Sequence, residues 1–154
     1  LEVKMDDLEQ YSRRTSVRIS GIEENENESL DDVRSKTRDL FSKIDVSPTV
    51  NRLHRVGPLS APKPRPILVQ FTSYPDKADV MKARSKLRNS APQFKKIYIN
   101  EDLTRKRAQL FRGARQLKKG NKIMDTWSFD GRIAVKDHRG IIHTISTIQD
   151  LLKF

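Results

Sequence analysis

The apolar residues between 15 and 101 change their spacing several times, and this alternation strongly limits the folds open to the chain. Val17 and Ile19 alternate with polar residues, which indicates a half-buried strand. An apolar stripe at helical spacing over 30–44 then predicts a helix, with Ser29 and Asp32 as its capping box. Further strands are predicted at 50–56, 67–71 and 97–99, with a second helix at 74–88. The order β-α-β-β-α-β is typical of the split-βαβ, or ferredoxin-like, fold.

A second pattern occupies residues 101–154. Asp102 or Thr104 caps a predicted helix that runs to Lys119, and Gly120 is placed for a left-handed C-terminal cap. Asp130-Gly131 is a type I′ hairpin signal between strands 123–129 and 132–137. A strand at 141–145 and a short helix, capped by Ser146 and Gln149, complete an α-β-β-β-α unit.

The chain therefore reads as an α+β protein: a split-βαβ domain followed by a small α-β-β-β-α domain. We place the first domain at 15–100 and the small basic domain at 101–154. Residues 1–14 form a helical leader, in which Leu1, Met5, Leu8 and Tyr11 are spaced as on an amphipathic helix. The leader is either an isolated short helix or the end of an upstream coiled coil.

The charges are divided unevenly along the chain. Residues 1–32 carry ten acids and four Lys/Arg, whereas 33–154 carry 27 Lys/Arg and ten acids, within a total net charge of +11. Such an excess favours a polyanionic partner. The sequence has no apolar run of membrane-spanning length, so we expect nucleic acid and no membrane.

The sequence contains no motif that predicts catalysis. Cysteine is absent, and neither a phosphate-binding loop nor a G-x-S-x-G nor a dinucleotide fingerprint occurs. His138 and His143 have no third ligand, so a metal site is not expected. We interpret the chain as non-enzymatic, with no catalytic residue, metal or cofactor.

One face of a split-βαβ sheet is open, and in RNA-recognition motifs aromatic side chains there stack on bases. The corresponding positions hold Arg18, Pro66 and Leu68, so base stacking at these sites is lost. The candidates for contacting RNA on this sheet are Arg18, Arg52, His54, Arg55 and Tyr98. The alternative is a sheet whose open face packs on another domain.

The predicted helix that follows Thr104 is strongly basic. It carries seven cations and no acid, namely Arg105, Lys106, Arg107, Arg112, Arg115, Lys118 and Lys119. A solvated helix usually interleaves Glu with Lys, so we expect this repulsion to be relieved by phosphates, which arginine binds well. The site residues assigned to this region are Arg105, Arg107, Arg112, Arg115, Lys119 and Lys122; a merely soluble surface is the alternative.

The hairpin supplies aromatic residues. With a two-residue loop, Phe129 lies opposite Arg132 and Trp127 opposite Ala134, so one face combines aromatic rings with cations. We assign Trp127, Phe129 and Arg132 to the nucleic-acid site. The alternative is that Trp127 anchors the core of the small domain.

Four motifs occur in an order that resembles a known family. They are Arg18-Ile-Ser-Gly-Ile22, Leu53-His-Arg-Val-Gly57, Pro66-Ile-Leu-Val-Gln-Phe71 and Ile99-Asn-Glu-Asp-Leu-Thr104, followed by the hairpin. This order resembles the first-open-reading-frame protein of LINE-type (non-LTR) retrotransposons. The resemblance implies an RRM-type domain, a basic C-terminal domain and an upstream trimeric coiled coil through which the protein self-associates. Arg112 most nearly matches the family's critical arginine.

The family would act as a nucleic-acid chaperone in a cytoplasmic ribonucleoprotein, with a nuclear pool as an alternative. We accordingly expect sequence-tolerant binding of single-stranded RNA, and of single-stranded DNA comparably or more weakly. Two other functions stay open at this point. One is a protein-interaction module that docks an acidic partner, and the other is a chaperone that acts mainly on DNA duplexes.

Overall fold

The computed structural model describes every residue from Leu1 to Phe154. The chain divides into two compact units. Residues 15–102 form one, called here the central unit, and residues 1–14 together with 103–154 form the other, called the terminal unit. No helix combines the length and the apolar character needed to cross a membrane.

The central unit contains a four-stranded antiparallel sheet with the strand order β2-β3-β1-β4. Its elements are β1 (Ser16–Ser20), α2 (Leu30–Lys43), β2 (Val50–Arg55), β3 (Ile67–Phe71), α3 (Tyr74–Ala83) and β4 (Tyr98–Glu101). α1 (Glu2–Ser12) precedes them in the chain and belongs to the terminal unit.

The sheet of the central unit buries one face. Val17 and Ile19 of β1 and Val69 of β3 are fully buried, together with residues of α2 and α3. Because side chains alternate across a strand, Arg18 and Leu68 are directed to the opposite face. The predicted α+β character and the period-two strands are thus confirmed.

The second helix of the central unit differs from its prediction over 74–88. α3 ends at Ala83, and a 3-10 helix continues over Arg84–Asn89. In a 3-10 helix residues three apart lie on the same side. This brings Arg84 and Leu87 to one side, where the Arg84 guanidinium donates to the Ile99 carbonyl (2.9 Å) and Leu87 is buried. The 3-10 winding therefore allows both the Arg84 hydrogen bond and the burial of Leu87.

The terminal unit folds around a three-stranded antiparallel sheet with the order β5-β6-β7. Its elements after α1 are α4 (Arg105–Lys119), β5 (Asp125–Phe129), β6 (Arg132–Lys136), β7 (Ile142–Ile145) and α5 (Ile148–Leu151). Leu110 and Ala114 of α4 pack with Ile133 and Val135 of β6 in the core.

The hairpin between β5 and β6 has the predicted geometry. Asp130 and Gly131 both have positive φ (48° and 78°), as a type I′ turn requires. Phe129 pairs with Arg132 and Trp127 with Ala134, so the predicted register is confirmed.

Two predicted caps in the terminal unit are wrong by one residue. Gly120 has a φ of −81°, and the left-handed residue is Asn121, with a φ of 59°. Asparagine tolerates the left-handed conformation because its short polar side chain can hydrogen-bond locally. Residue type alone therefore does not decide whether position 120 or 121 adopts it. The capping box of α5 is formed by Thr147 and Asp150 rather than by Ser146 and Gln149.

The leader does not stand alone: α1 packs on the start of α4 and on the tip of the hairpin. The Gln10 side chain accepts a hydrogen bond from the Thr104 backbone N–H (2.9 Å). It also lies over Gly131, where an added Cβ would come within 2.4 Å of the Gln10 side chain. Leu1, Met5 and Leu8, by contrast, are exposed.

A single carboxylate organises the turn between β6 and β7. Asp137 accepts hydrogen bonds from the backbone N–H groups of Arg139 and Ile141 and from His143 Nε2, at 2.8–2.9 Å. The bond from His143 is the main cause that lowers the pKa of Asp137 to about 2, and the two backbone bonds add to it against the effect of burial.

We expect Asp137→Asn to lower the thermal midpoint at pH 7, because the substitution removes a charged acceptor of three donors. A carboxyl with a depressed pKa in the folded state stabilises the fold above its unfolded pKa and loses this effect as the pH falls through the folded value. Thermal melts between pH 7 and pH 2 should therefore converge for wild type and variant toward the acid end. The matched control is Asp39→Asn, at an exposed carboxylate of α2. A difference in melting temperature between wild type and Asp137→Asn that is equally large at all pH values would contradict the role given to the Asp137 carboxylate.

Candidate nucleic-acid interface

The open face of the four-stranded sheet is polar and basic. Across the strands His54 pairs with Leu68, Leu68 with Arg18, and Arg18 with Asn100, so these residues form one row. Arg52 lies beside this row opposite Gln70. The sequence-predicted Arg18, Arg52, His54 and Tyr98 are therefore brought together on one surface.

The side chains on this face differ in whether other residues of the protein already bind them. Arg18 Nε donates to Asp102 Oδ1 at 2.9 Å, and Asp102 is nearly inaccessible. Arg52 and His54 are exposed and have no side-chain hydrogen bond or ion pair, and Tyr98 is 62% exposed. Arg52 and His54 can thus meet a ligand directly, whereas Arg18 is already partly neutralised.

Arg55 does not belong to this surface, contrary to the prediction. Its side chain is 4% exposed and bonded to Glu28 (2.9 Å), to the carbonyls of Ile22 and Glu23, and to that of Arg65. Burial raises the pKa of Glu28, but hydrogen bonds from Arg55 and Lys36 outweigh it and lower the pKa. Arg55 ties the acidic loop 23–28 to β2 and is structural.

The outer surface of α4 carries a cluster of unpaired positive charges. Arg105, Arg112, Arg115, Lys119 and the adjacent Lys122 are exposed, and none has an acidic partner. Arg112, Arg115 and Lys119 follow one another at helical spacing, so they share a side of the helix. The Arg115 guanidinium also stacks over the Phe111 ring at 4.0 Å, which holds it in place.

Two cations of α4 are compensated, which the sequence did not indicate. Arg107 bonds Asp6 (2.8 Å) and Asp7 (2.6 Å) of α1, and Lys118 bonds Asp125 (2.8 Å) of β5. The predicted lack of compensation therefore does not hold for Arg107, because the leader helix supplies the acids. The only sequence signal for this pairing was the adjacent acids Asp6 and Asp7. Nothing in the sequence indicates that they pair with Arg107, which lies about 100 residues further along the chain.

The open face of the three-stranded sheet presents aromatic and basic residues. Trp127 is half-buried, and Phe129 is 66% exposed beside the exposed Arg132. Lys136 lies on the same face, as the hairpin register predicts, and so does the exposed Ile142, which the sequence did not indicate. The alternation of Ile142 and Thr144 with His143 and Ile145 was the only signal for the contribution of β7.

The alternative of Trp127 as a core anchor is not supported. The core of the terminal unit lies on the face of Ile133 and Val135, which pair with Ser128 and Thr126. Trp127 pairs with Ala134 and therefore lies on the opposite face.

The aromatic face and the basic surface of α4 lie on opposite sides of the three-stranded sheet. α4 covers the face that holds the core, whereas Trp127 and Phe129 occupy the other. The Lys118–Asp125 ion pair links the C-terminal half of α4 to β5, which is an edge strand. A flexible polymer that follows this edge passes from the cations of α4 to the aromatic face.

No group of three or more His, Asp or Glu side chains in the chain is arranged to hold a metal ion. His143 is engaged with Asp137, and His138 Nε2 lies 2.8 Å from the Asn121 carbonyl. What the arrangement offers chemically is hydrogen bonding, charge and stacking area.

No protein-family model matches the chain, and comparison with curated proteins finds no significant match.

The two neighbouring arginines of β2 should respond oppositely to substitution. Arg55→Ala leaves Glu28 buried without its main partner, which costs about 3–5 kcal/mol of unfolding free energy. Arg52→Ala removes an exposed side chain and should change stability by less than about 0.5 kcal/mol. Urea denaturation of both variants measures the difference in unfolding free energy. Equal stability of the Arg55→Ala and Arg52→Ala variants would contradict the structural role of Arg55.

Proposed function

We propose that this chain binds single-stranded RNA with little sequence preference, and single-stranded DNA comparably or more weakly. It would do so as a non-enzymatic nucleic-acid chaperone in the ribonucleoprotein of a LINE-type retrotransposon, in the cytoplasm with a possible nuclear pool. Self-association through a coiled coil upstream of α1 belongs to the same proposal.

The proposal includes a finer fold assignment for the central unit. The strand order β2-β3-β1-β4 and the sequence order β-α-β-β-α-β are those expected of a ferredoxin-like, RRM-type domain. On such a domain the open sheet face is the usual site for RNA. Here that face carries Arg52, His54 and Tyr98 instead of a set of stacking aromatics, which favours phosphate contacts over base recognition.

The observation that carries the proposal is the set of unpaired cations on α4. Arg105, Arg112, Arg115, Lys119 and Lys122 repel one another, and the protein provides no acid to relieve this. A phosphate backbone supplies regularly spaced negative charge, and binding releases its condensed counterions. Trp127 and Phe129 add stacking area of the kind that tolerates any base.

Substitution of Arg112 or Arg115 by Ala should weaken binding to oligonucleotides of different sequence by similar factors. Each lost phosphate contact on a single strand should also reduce the slope of log K against log salt by about 0.7. Fluorescence anisotropy with labelled oligo(U), oligo(A) and a mixed sequence between 50 and 200 mM salt measures both effects. Arg88→Ala, an exposed arginine of the central unit, is the matched control.

The same titration separates the alternatives. Affinity that is weak and independent of oligonucleotide length favours a module for an acidic protein partner. Tighter binding to duplex than to single-stranded DNA favours a duplex chaperone. A loss confined to one base sequence in the Arg112 variant contradicts phosphate contact.

Trp127→Ala should reduce RNA affinity by about 1–3 kcal/mol if the indole stacks on a base. Trp127→Phe keeps a ring and should recover part of this loss. Thermal melts check the fold, with Ile133→Ala as the comparison, since truncating that core residue costs about 2–5 kcal/mol of stability. If Trp127→Ala destabilises the protein as much as Ile133→Ala and leaves RNA affinity unchanged, the stacking role is wrong.

A further inference from the structure

A groove on the central unit shares only Arg52 with the open face of the four-stranded sheet. It runs between α2 and the edge strand β2, and it has a volume of about 500 Å³. Its lower part is apolar, formed by Phe41, Val46, Val50 and Leu53. Because Phe41 and Leu53 belong to the core, the groove is a fixed feature of the fold.

The charged residues of the groove are all basic. Arg34, Arg38 and Arg52 line it, and no acidic residue does. Arg34 shares its charge with Asp31 (3.0 Å), whereas Arg38 and Arg52 have no acidic partner. A ligand with negative side chains therefore complements this surface.

The strand that forms one wall offers main-chain groups as well. β2 pairs with β3 only, and no other segment covers its outer edge. The Val56 N–H donates to the Pro66 carbonyl (2.8 Å), so by antiparallel alternation the main-chain groups of Leu53 and Arg55 point away from β3. A free edge of this kind accepts an extended peptide as an additional strand.

These features favour a peptide over a nucleic acid. The edge presents N–H donors and C=O acceptors in alternation, which matches a peptide backbone, whereas a phosphate backbone offers acceptors only. Phe41 is 4% exposed, so the groove provides no ring for stacking on a base. A second copy of the same edge is disfavoured too, because the unpaired Arg38 and Arg52 would face the same cations of that copy.

We propose that the α2–β2 groove binds an extended, acidic peptide segment of a partner protein, which adds a strand to β2. Every second side chain of the added strand points toward α2. Among these, acidic side chains meet Arg38 and Arg34, and apolar side chains enter the space above Val46 and Val50. The inference does not depend on RNA binding. Arg52 is the one residue shared with the proposed RNA surface, whereas Arg38 and the outer edge of β2 lie outside it.

The test uses the full chain and a fluorescein-labelled eight-residue peptide, Glu-Thr-Glu-Thr-Val-Thr-Val-Thr, whose acidic and apolar side chains lie on the same face of the strand. Anisotropy titration should give saturable binding, and Arg38→Glu should weaken it by about tenfold or more, because like charges then face each other. Lys82→Glu, the same charge change at an exposed lysine of α3, should alter affinity by less than about twofold. A peptide with Lys in place of Glu should not bind.

A second measurement reports on strand addition itself. Amide hydrogen exchange at Leu53 and Arg55 should slow when the peptide is bound, while His54, already paired with β3, should change little. A peptide N-methylated at alternate amides keeps its charge but cannot pair, so its binding should be lost. Equal losses for Arg38→Glu and Lys82→Glu, unchanged exchange at Leu53, or protection of these amides by oligo(U) and not by the peptide would each overturn the proposal.

Discussion

Each sheet of this protein buries one face and leaves the other open, and the placement of the functional surfaces depends on this constraint. Two small cores can be filled only if the apolar residues of every strand point the same way, toward the helices. Val17 and Ile19 are committed to the core in this manner, and so are Ile133 and Val135. The residues between them, such as Arg18, are then necessarily directed to the opposite face.

The second determinant of these surfaces is the position of the acidic side chains. Several of the best buried carboxylates are used inside the units: Glu28 with Arg55, Glu101 with Lys77, and Asp6 with Arg107. Since a buried charge without a partner is very costly, these pairs are obligatory once the fold forms. These acids are therefore not available to pair with Arg112, Arg115 and Lys119 on the outer side of α4.

Local signals predicted the elements well. The capping box at Ser29, the type I′ turn at Asp130-Gly131 and the hairpin register all depend on residues within a few positions of one another. Apart from two helix caps that were one residue off, the predictions failed where a partner comes from far along the chain. Arg55 reads as a surface cation on an alternating strand, and only the folded loop 23–28 shows that its guanidinium is enclosed.

The sequence by itself determined the α+β elements, their order, and which strand residues are apolar, because periodicity and turn chemistry are local properties. It also determined the large positive charge and the absence of cysteine chemistry. Only the tertiary structure decided which cations are free, because it placed α1 against α4 and enclosed Arg55. It also decided between the two roles of Trp127, which lies on the face away from the core. Ion pairs between residues 27 to 101 positions apart depend on the chain path in three dimensions, and no short-range pattern encodes them.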